Sequence, residues 1–250
     1  MRLAVSAEWT KLRTVPGPGW LLLAAAAVTV ALSAAAAGAM SCPSGQLDCV
    51  VDAARVSLTG IQLGQAVIAV LAVLVIGEEY GTGLIRTTLT AMPGRLTVLA
   101  AKAVTLTGLV LVAGAVGVVG SLVAGRIALP LPFSLTDAST LRAGAGSVLY
   151  LALIGLLSLG LATALRDSAL SIGVVLSLLY LFPILALVIR DPRWVRRIEQ
   201  AAPSSAGLAV QATRNLTSLP IGPWAGLGVL ALWAGGALLL GGLLLRWRDA

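Results

Sequence analysis

Residues 58–95 read LTGIQLGQAVIAVLAVLVIGEEYGTGLIRTTLTAMPGR. No charged side chain occurs from Leu58 to Ile76, and the apolar run then stops at Gly77-Glu78-Glu79. A helix rises 1.5 Å per residue, so about 20 apolar residues cross a hydrocarbon core roughly 30 Å thick. The stretch reads as a membrane span that ends abruptly in a polar phase. Beyond it, Thr82 to Ala91 reads as a short helix, with Leu84, Ile85, Thr88 and Leu89 on one side and Arg86, Thr87 and Thr90 on the other. Pro93-Gly94 stops it.

Five more stretches have the same character: Trp20–Met40, Leu99–Ala124, Ala145–Leu165, Ser168–Ile189 and Trp224–Leu245. Together the six fill most of the 250 residues and leave no room for a separate soluble domain. Only 11% of residues are charged and 58% are hydrophobic, whereas soluble domains carry roughly 25% charged residues. Strands of a membrane barrel would alternate in polarity over about ten residues, and none of these stretches does. The expectation is an all-α membrane protein, one domain over residues 1–250, with six transmembrane helices. Trp20–Met40 exceeds the roughly 7–15 apolar residues of a secretory signal, so Met1–Ser41 reads as a retained first span.

Inside these stretches the sole ionisable side chain is Lys102, near the start of the third, where it is expected to snorkel back to the interface. Ion-coupled carriers place charged groups near the midplane, at about 2.5–3.5 kcal/mol each. Their scarcity here points away from ion-gradient coupling. The chain has no histidine, which removes serine–histidine proteolysis, histidine metal sites and the commonest proton shuttle. No Gly-x-x-x-x-Gly-Lys-Ser/Thr loop occurs, so nucleotide is not bound by that route. Neither a metal nor an organic cofactor is indicated. The net charge of +7 comes from short basic segments beside spans, which suits anionic headgroups. No segment has the density of a nucleic-acid arm.

Around the spans, Met1–Val15 reads as an amphipathic helix on the membrane surface. Arg2, Ser6, Thr10 and Arg13 form one stripe and Val5, Trp9 and Leu12 another. Pro16-Gly17-Pro18-Gly19 is expected to break the helix before the first span. Cys42 and Cys49 share a turn-rich loop, as a small disulfide on an oxidising side or as two unpaired thiols. Arg166-Asp167 reads as a tight hairpin between spans four and five, and Pro183 as a kink. In Arg190–Pro223, four arginines surround Trp194 in a surface helix, followed by a segment that dips into the protein. Gln62, Gln65, Thr105 and Thr107 either face a pathway or tie helices together. Gly114, Gly117, Gly120, Gly235 and Gly236 suit close helix packing. Basic residues divide nearly evenly between the two sides, so the positive-inside rule barely orients the chain. The cysteine loop favours an inside N-terminus.

Ser6-Ala7-Glu8-Trp9-Thr10-Lys11-Leu12-Arg13-Thr14 looks like the opening segment of the ABC type-2 exporter permeases, the membrane subunits of ATP-binding-cassette exporters. Gly77-Glu78-Glu79-Tyr80-Gly81-Thr82-Gly83-Leu84-Ile85-Arg86-Thr87-Thr88-Leu89 is similar to the cytoplasmic segment after their second span. The arrangement resembles that family over nearly the whole chain. The resemblance implies a coupling helix that docks in a groove on a cytosolic ABC ATPase. Its residues would be Glu78, Glu79, Tyr80, Thr82, Leu84, Ile85, Arg86, Thr87, Thr88 and Leu89. Glu78 and Glu79 would sit at the membrane–cytosol junction and pair with Arg2, Arg13 or Arg86. It further implies a second permease subunit, identical or related, with ATP held by the partner ATPase rather than by this chain. Arg190–Thr217 would form an outer lid. The cargo expected is hydrophobic or amphipathic, moved outward. Both termini would be cytoplasmic in a bacterial plasma membrane, and arginine preference over lysine with abundant Ala and Gly fits a high-GC bacterial source. Two alternatives stand beside it: an ATPase-independent secondary transporter or channel, and a non-transport membrane scaffold.

Overall fold

The computed structural model describes residues 2–14, 16–40, 52–84, 94–129 and 133–247, without the side chains of Arg2, Leu3, Leu12, Arg13 and Pro16. The described residues form α1 (Arg2–Thr14), α2 (Pro16–Ala39), α3 (Ala53–Ser57), α4 (Ile61–Gly81) and α5 (Arg95–Ala128). There follow α6 (Ala138–Leu165), α7 (Ser168–Val188), α8 (Pro192–Ala201), α9 (Pro203–Leu208) and α10 (Pro223–Trp247). No strand occurs among them. Among the described residues six helical stretches are long and apolar enough to cross a membrane: α2, the α3–α4 pair, α5, α6, α7 and α10. In hydrocarbon each backbone N–H and C=O must bond within its own segment, which a helix achieves and an open strand does not.

The first span begins earlier than the sequence suggests. Pro16 to Gly19 form the first turn of α2 rather than a break before it. N–H groups of a first turn have no intrahelical partner, so prolines there forfeit no bond. α5 has 34 residues, about 51 Å at helical rise, so it reaches well past the apolar layer.

Hydrogen bonds identify which connections share an end of the bundle. Arg95 Nη1 donates to the Leu245 carbonyl at 2.9 Å, and Arg166 Nη2 to the Leu244 carbonyl at 3.4 Å. One end therefore holds α1, the close of α4, the start of α5, the α6–α7 hairpin and the close of α10. The other holds the close of α2, α3, the close of α5, the start of α6 and residues 189–222. Exposed tryptophans fall at both: Trp9, Trp20 and Trp247 at the first, Trp194 and Trp224 at the second. An amphipathic indole suits the headgroup level.

α6 is the central helix, packed on α4, α5, α7 and α10, while α2 lies across α4 and α5. Leu71, Ile76, Leu106, Ile154, Leu157 and Leu159 fill the core. α7 is peripheral; its buried residues are Ser171, Val175 and Leu179. At the α2–α4 crossing a Cβ on Gly60 would overlap the Thr29 carbonyl oxygen, and the Gly60 N–H donates to Ser33 Oγ at 3.1 Å. Gly114, Gly117 and Gly120 face Leu151, Ala26 and Val30, as close packing requires. Gly235 and Gly236 do not: a Cβ on either meets nothing within 4 Å. On α10 the close approaches fall instead at Gly226, against the Ala206 carbonyl, and at Gly241, against the Gly160 carbonyl. Position on the helix face, not glycine content, decides which of them pack.

The α6–α7 hairpin turns on Arg166, which adopts φ +62°, while Asp167 caps α7 by accepting from the Leu170 N–H at 2.7 Å. α7 continues through Pro183 to Val188. After α8 the chain dips into the protein: Ala206 and Val210 are fully buried. Asp52 holds this segment, accepting from Thr213 N at 2.6 Å, Thr213 Oγ1 at 2.6 Å and Arg214 N at 3.1 Å. Arg142 Nη2 donates to the Ala212 carbonyl at 2.6 Å. Irregular backbone at such depth survives only where protein groups satisfy it.

Candidate functional site

Two polar centres stand out, one at each end. The first assembles where α1, α4 and α5 meet. On α1, Glu8 and Lys11 are three residues apart and share a face; Ala4 and Glu8 are the buried positions there and Trp9 is exposed. Among the described side chains of α1 the inward stripe is Ala4-Glu8, and the expected membrane-surface stripe is seen in half-buried Val5 and exposed Trp9, with Leu12 outside the described side chains. Glu79 lies in the last turn of α4, and Lys102 lies seven residues after Arg95, roughly 10 Å along α5.

Lys102 is fully buried and does not snorkel to the interface. Its Nζ donates to Glu79 Oε1 at 2.8 Å, to Glu8 Oε2 at 3.0 Å and to the Val75 carbonyl at 3.4 Å. Those bonds use all three ammonium protons. Lys11 also donates to Glu79 Oε1 and stands 3.8 Å from Glu8 Oε1. Two carboxylates and two ammoniums make the cluster neutral. Snorkelling fails because two carboxylates close over the lysine, one from the same end of α4 and one from α1. Partial burial pulls the Lys11 ammonium down, but the Glu79 hydrogen bond and the charges of Glu79 and Glu8 outweigh it and hold its pKa above the ordinary lysine value. Glu79 Oε2 is buried without a hydrogen bond among the described residues. The pair borders a cavity of about 240 Å³ shared with Pro18, Leu21, Leu71 and Val75.

This cluster redistributes the residues expected at the α4 exit. Glu78, Thr82 and Leu84 are exposed, whereas Glu79 is buried and Tyr80 half-buried, with the Arg166 guanidinium 5.7 Å from the Tyr80 ring centre. Glu79 pairs with Lys102 and Lys11; the expected pairing with Arg2, Arg13 or Arg86 falls outside the described residues. The side chains of Arg2 and Arg13 lie outside the described residues, as does Arg86. So do Ile85, Thr87, Thr88 and Leu89, and likewise Cys42 and Cys49. α4 ends at Gly81, and Gly83 takes φ +71°, a left-handed conformation that only glycine adopts at no steric cost. That residue separates the span from whatever follows it.

Sequence reasoning missed the role of Glu8 and Lys11. A usable signal existed: a lone lysine inside a span requires counter-charges, and Glu79 closes the preceding antiparallel span at the same depth.

The second centre is a cavity of about 450 Å³ at the opposite end, between α4, α7 and the dipping segment. Arg55, Gln62, Gln65, Tyr180, Glu199 and Ser204 supply its polar wall. Gln65 is buried and accepts from the Tyr150 hydroxyl. Tyr180 Oη donates to the Gln62 carbonyl at 2.5 Å, and Ser204 Oγ to the Leu179 carbonyl at 2.7 Å. Gln62 and Gln65 thus come together in one cavity. Thr105 does not join them: it is buried and back-bonds to Ala101 and Lys102 of its own helix at 2.9 and 3.1 Å. Thr107 is half-buried and does not line this cavity either. Among the described residues no cluster of His, Cys, Asp and Glu suits a metal.

No curated protein matches the chain. A family profile described as ABC-2 family transporter protein matches residues 4–184, from α1 into α7 and including all four members of the charged cluster. With six apolar membrane-length helices and that match over well over half its length, this chain belongs to the ABC-2 transporter family, as a multi-pass membrane permease.

Proposed function

We propose that this permease works with a separate cytosolic ABC ATPase and a second permease subunit, identical or related, to move a hydrophobic or amphipathic molecule outward. The observation that carries the proposal is the buried cluster Glu8–Lys102–Glu79–Lys11. It ties the exit of α4, from which the proposed coupling segment continues in sequence, to α1 and α5 through charge-assisted bonds. ATPase closure against that segment would move three elements as one body, which suits a rigid-body shift between inward- and outward-open states. ATP is held by the partner; the permease contributes contacts that differ between the two states.

In this arrangement α1 and both ends of the chain are cytoplasmic in a bacterial plasma membrane. Glu78, Thr82, Leu84 and residues 85–89 meet the ATPase, while Glu79 and Tyr80 brace that surface from behind. The cavity with Gln62 and Gln65 then faces the exit side, where a few amides and hydroxyls on an otherwise apolar wall suit an amphipathic cargo. The mostly exposed face of α7 supports a second subunit or lipid beside it.

The test is co-purification with an ABC ATPase subunit that lacks spans of its own, then ATPase stimulation in proteoliposomes. Thr87→Pro and Arg86→Glu are expected to abolish both, with the permease still inserted. Complex formation and stimulation that survive both changes would overturn the coupling assignment. So would uphill solute accumulation by the permease alone on a proton or sodium gradient.

A further inference from the structure

We propose that α8 is a seat for acidic phospholipid headgroups. The C-terminal part of α7 presents Ile184, Leu187 and Val188 outward, Leu187 being 87% exposed, which marks it as lipid-facing. Arg190 follows two residues later and α8 begins at Pro192. The helix therefore starts where the hydrocarbon ends.

Its two faces differ sharply. Val195, Ile198 and Glu199 are half-buried against the protein, while Arg193, Trp194, Arg196 and Arg197 are exposed. Arg197 stands 5.6 Å from the Trp194 ring centre, a cation–π contact that holds both side chains on the outer face. Among the described residues none of Arg190, Arg193, Arg196 and Arg197 has an ion-pair partner. The nearby acids are engaged elsewhere: Asp191 caps the helix by accepting from Arg193 N at 2.8 Å, and Glu199 turns to the cavity wall. Four uncompensated guanidiniums and an indole lie at headgroup depth. Guanidinium forks match phosphodiester oxygens in pairs, and a tryptophan anchors at the same level. The basic excess at this end, which blurs the orientation signal, then has a local cause: it neutralises lipid rather than reporting sidedness.

Occupancy at α8 also bears on the neighbouring cavity. Gln200 Nε2 donates to the Pro220 carbonyl at 2.7 Å, and Trp233 Nε1 to the Ala201 carbonyl at 2.9 Å. A headgroup that fixes α8 fixes one wall of the cavity, whatever passes through it. The inference is independent of ATPase coupling.

The full chain in nanodiscs, probed with spin-labelled phosphatidylglycerol and phosphatidylcholine, tests it. Wild type is expected to prefer phosphatidylglycerol, with the preference shrinking as salt screens it. Arg193→Gln, Arg196→Gln and Arg197→Gln are each expected to reduce it by up to about fivefold, and the triple variant to abolish it. Single variants keep the result readable if the triple variant unfolds. Equal affinity for the two lipids, or a preference that all the variants retain, would overturn the proposal. Competition by inorganic phosphate as strong as that of the lipid would assign a soluble-anion site instead and overturn it too.

Discussion

Lys102 and Glu79 lie 2.8 Å apart with side-chain exposures of 0% and 5%, at one end of an otherwise apolar bundle. A buried lysine is tolerable only with its counter-charge in place, because the interior solvates an isolated ion so poorly. Glu8 completes the arrangement from α1 at 3.0 Å. The ion pairs thereby add to the packing of Ala4 in fastening α1 to the span bundle.

Lys102→Met should destabilise the protein by about 3–5 kcal/mol, since it leaves two buried carboxylates with only the half-exposed Lys11 to balance them. The triple change Glu8→Gln, Glu79→Gln, Lys102→Met should recover much of that, because it removes the three buried charges together and leaves only the half-exposed Lys11. Thermal unfolding of the purified protein reads both. A triple variant no more stable than Lys102→Met would refute the charge-balance account.

Lys11 is more exposed, and its replacement by Met should cost only about 0–1 kcal/mol. Its pKa is raised in the folded state above the ordinary value of 10.5. Its contribution is therefore complete below that pH and lost as pH rises through the higher folded value. Unfolding midpoints of wild type and Lys11→Met should run parallel through neutral pH and converge only in strong alkali. Convergence between about pH 6 and pH 9, where the carboxylates stay ionised, would count against the sign of this shift.

Asp52→Ala removes the acceptor for Thr213 and Arg214. A loss of about 1–3 kcal/mol is expected for groups left unsatisfied. It should be local: hydrogen exchange should quicken at residues 203–214 and stay unchanged in α6. Uniform quickening across the bundle would contradict this.

Gly226→Ala drives a Cβ into the Ala206 carbonyl and should cost about 1–3 kcal/mol by overpacking. Gly235→Ala, nine residues on, meets open space and should be neutral or stabilising by up to about 1 kcal/mol through helix propensity. Two alanine variants with the same unfolding temperature would show that α10 does not pack on the dipping segment as described.

The spans were readable because solvation by hydrocarbon is decided residue by residue along a run. Leu58–Ile76 needs no knowledge of its neighbours to be recognised. The two family-like segments were also local, and the family match covers both. Helix starts were less so: Pro16 joins α2 because a first turn asks for no N–H there. The glycines of α10 divided wrongly, since their helix phase relative to α6 and α9 is set by packing partners that periodicity in an all-apolar helix does not reveal.

Sequence alone thus determined an all-helical, six-span membrane protein of this family. Tertiary structure alone decided that Lys102 turns inward, that Glu79 is buried against Lys102 and Lys11, and that Gln62 and Gln65 share a cavity while Thr105 does not. The reason is range. Partition into lipid depends on consecutive residues, whereas the Lys102 contacts join residues 23 and 94 positions apart. Whether a charge meets its opposite or reaches water depends on which helices the packed core brings side by side.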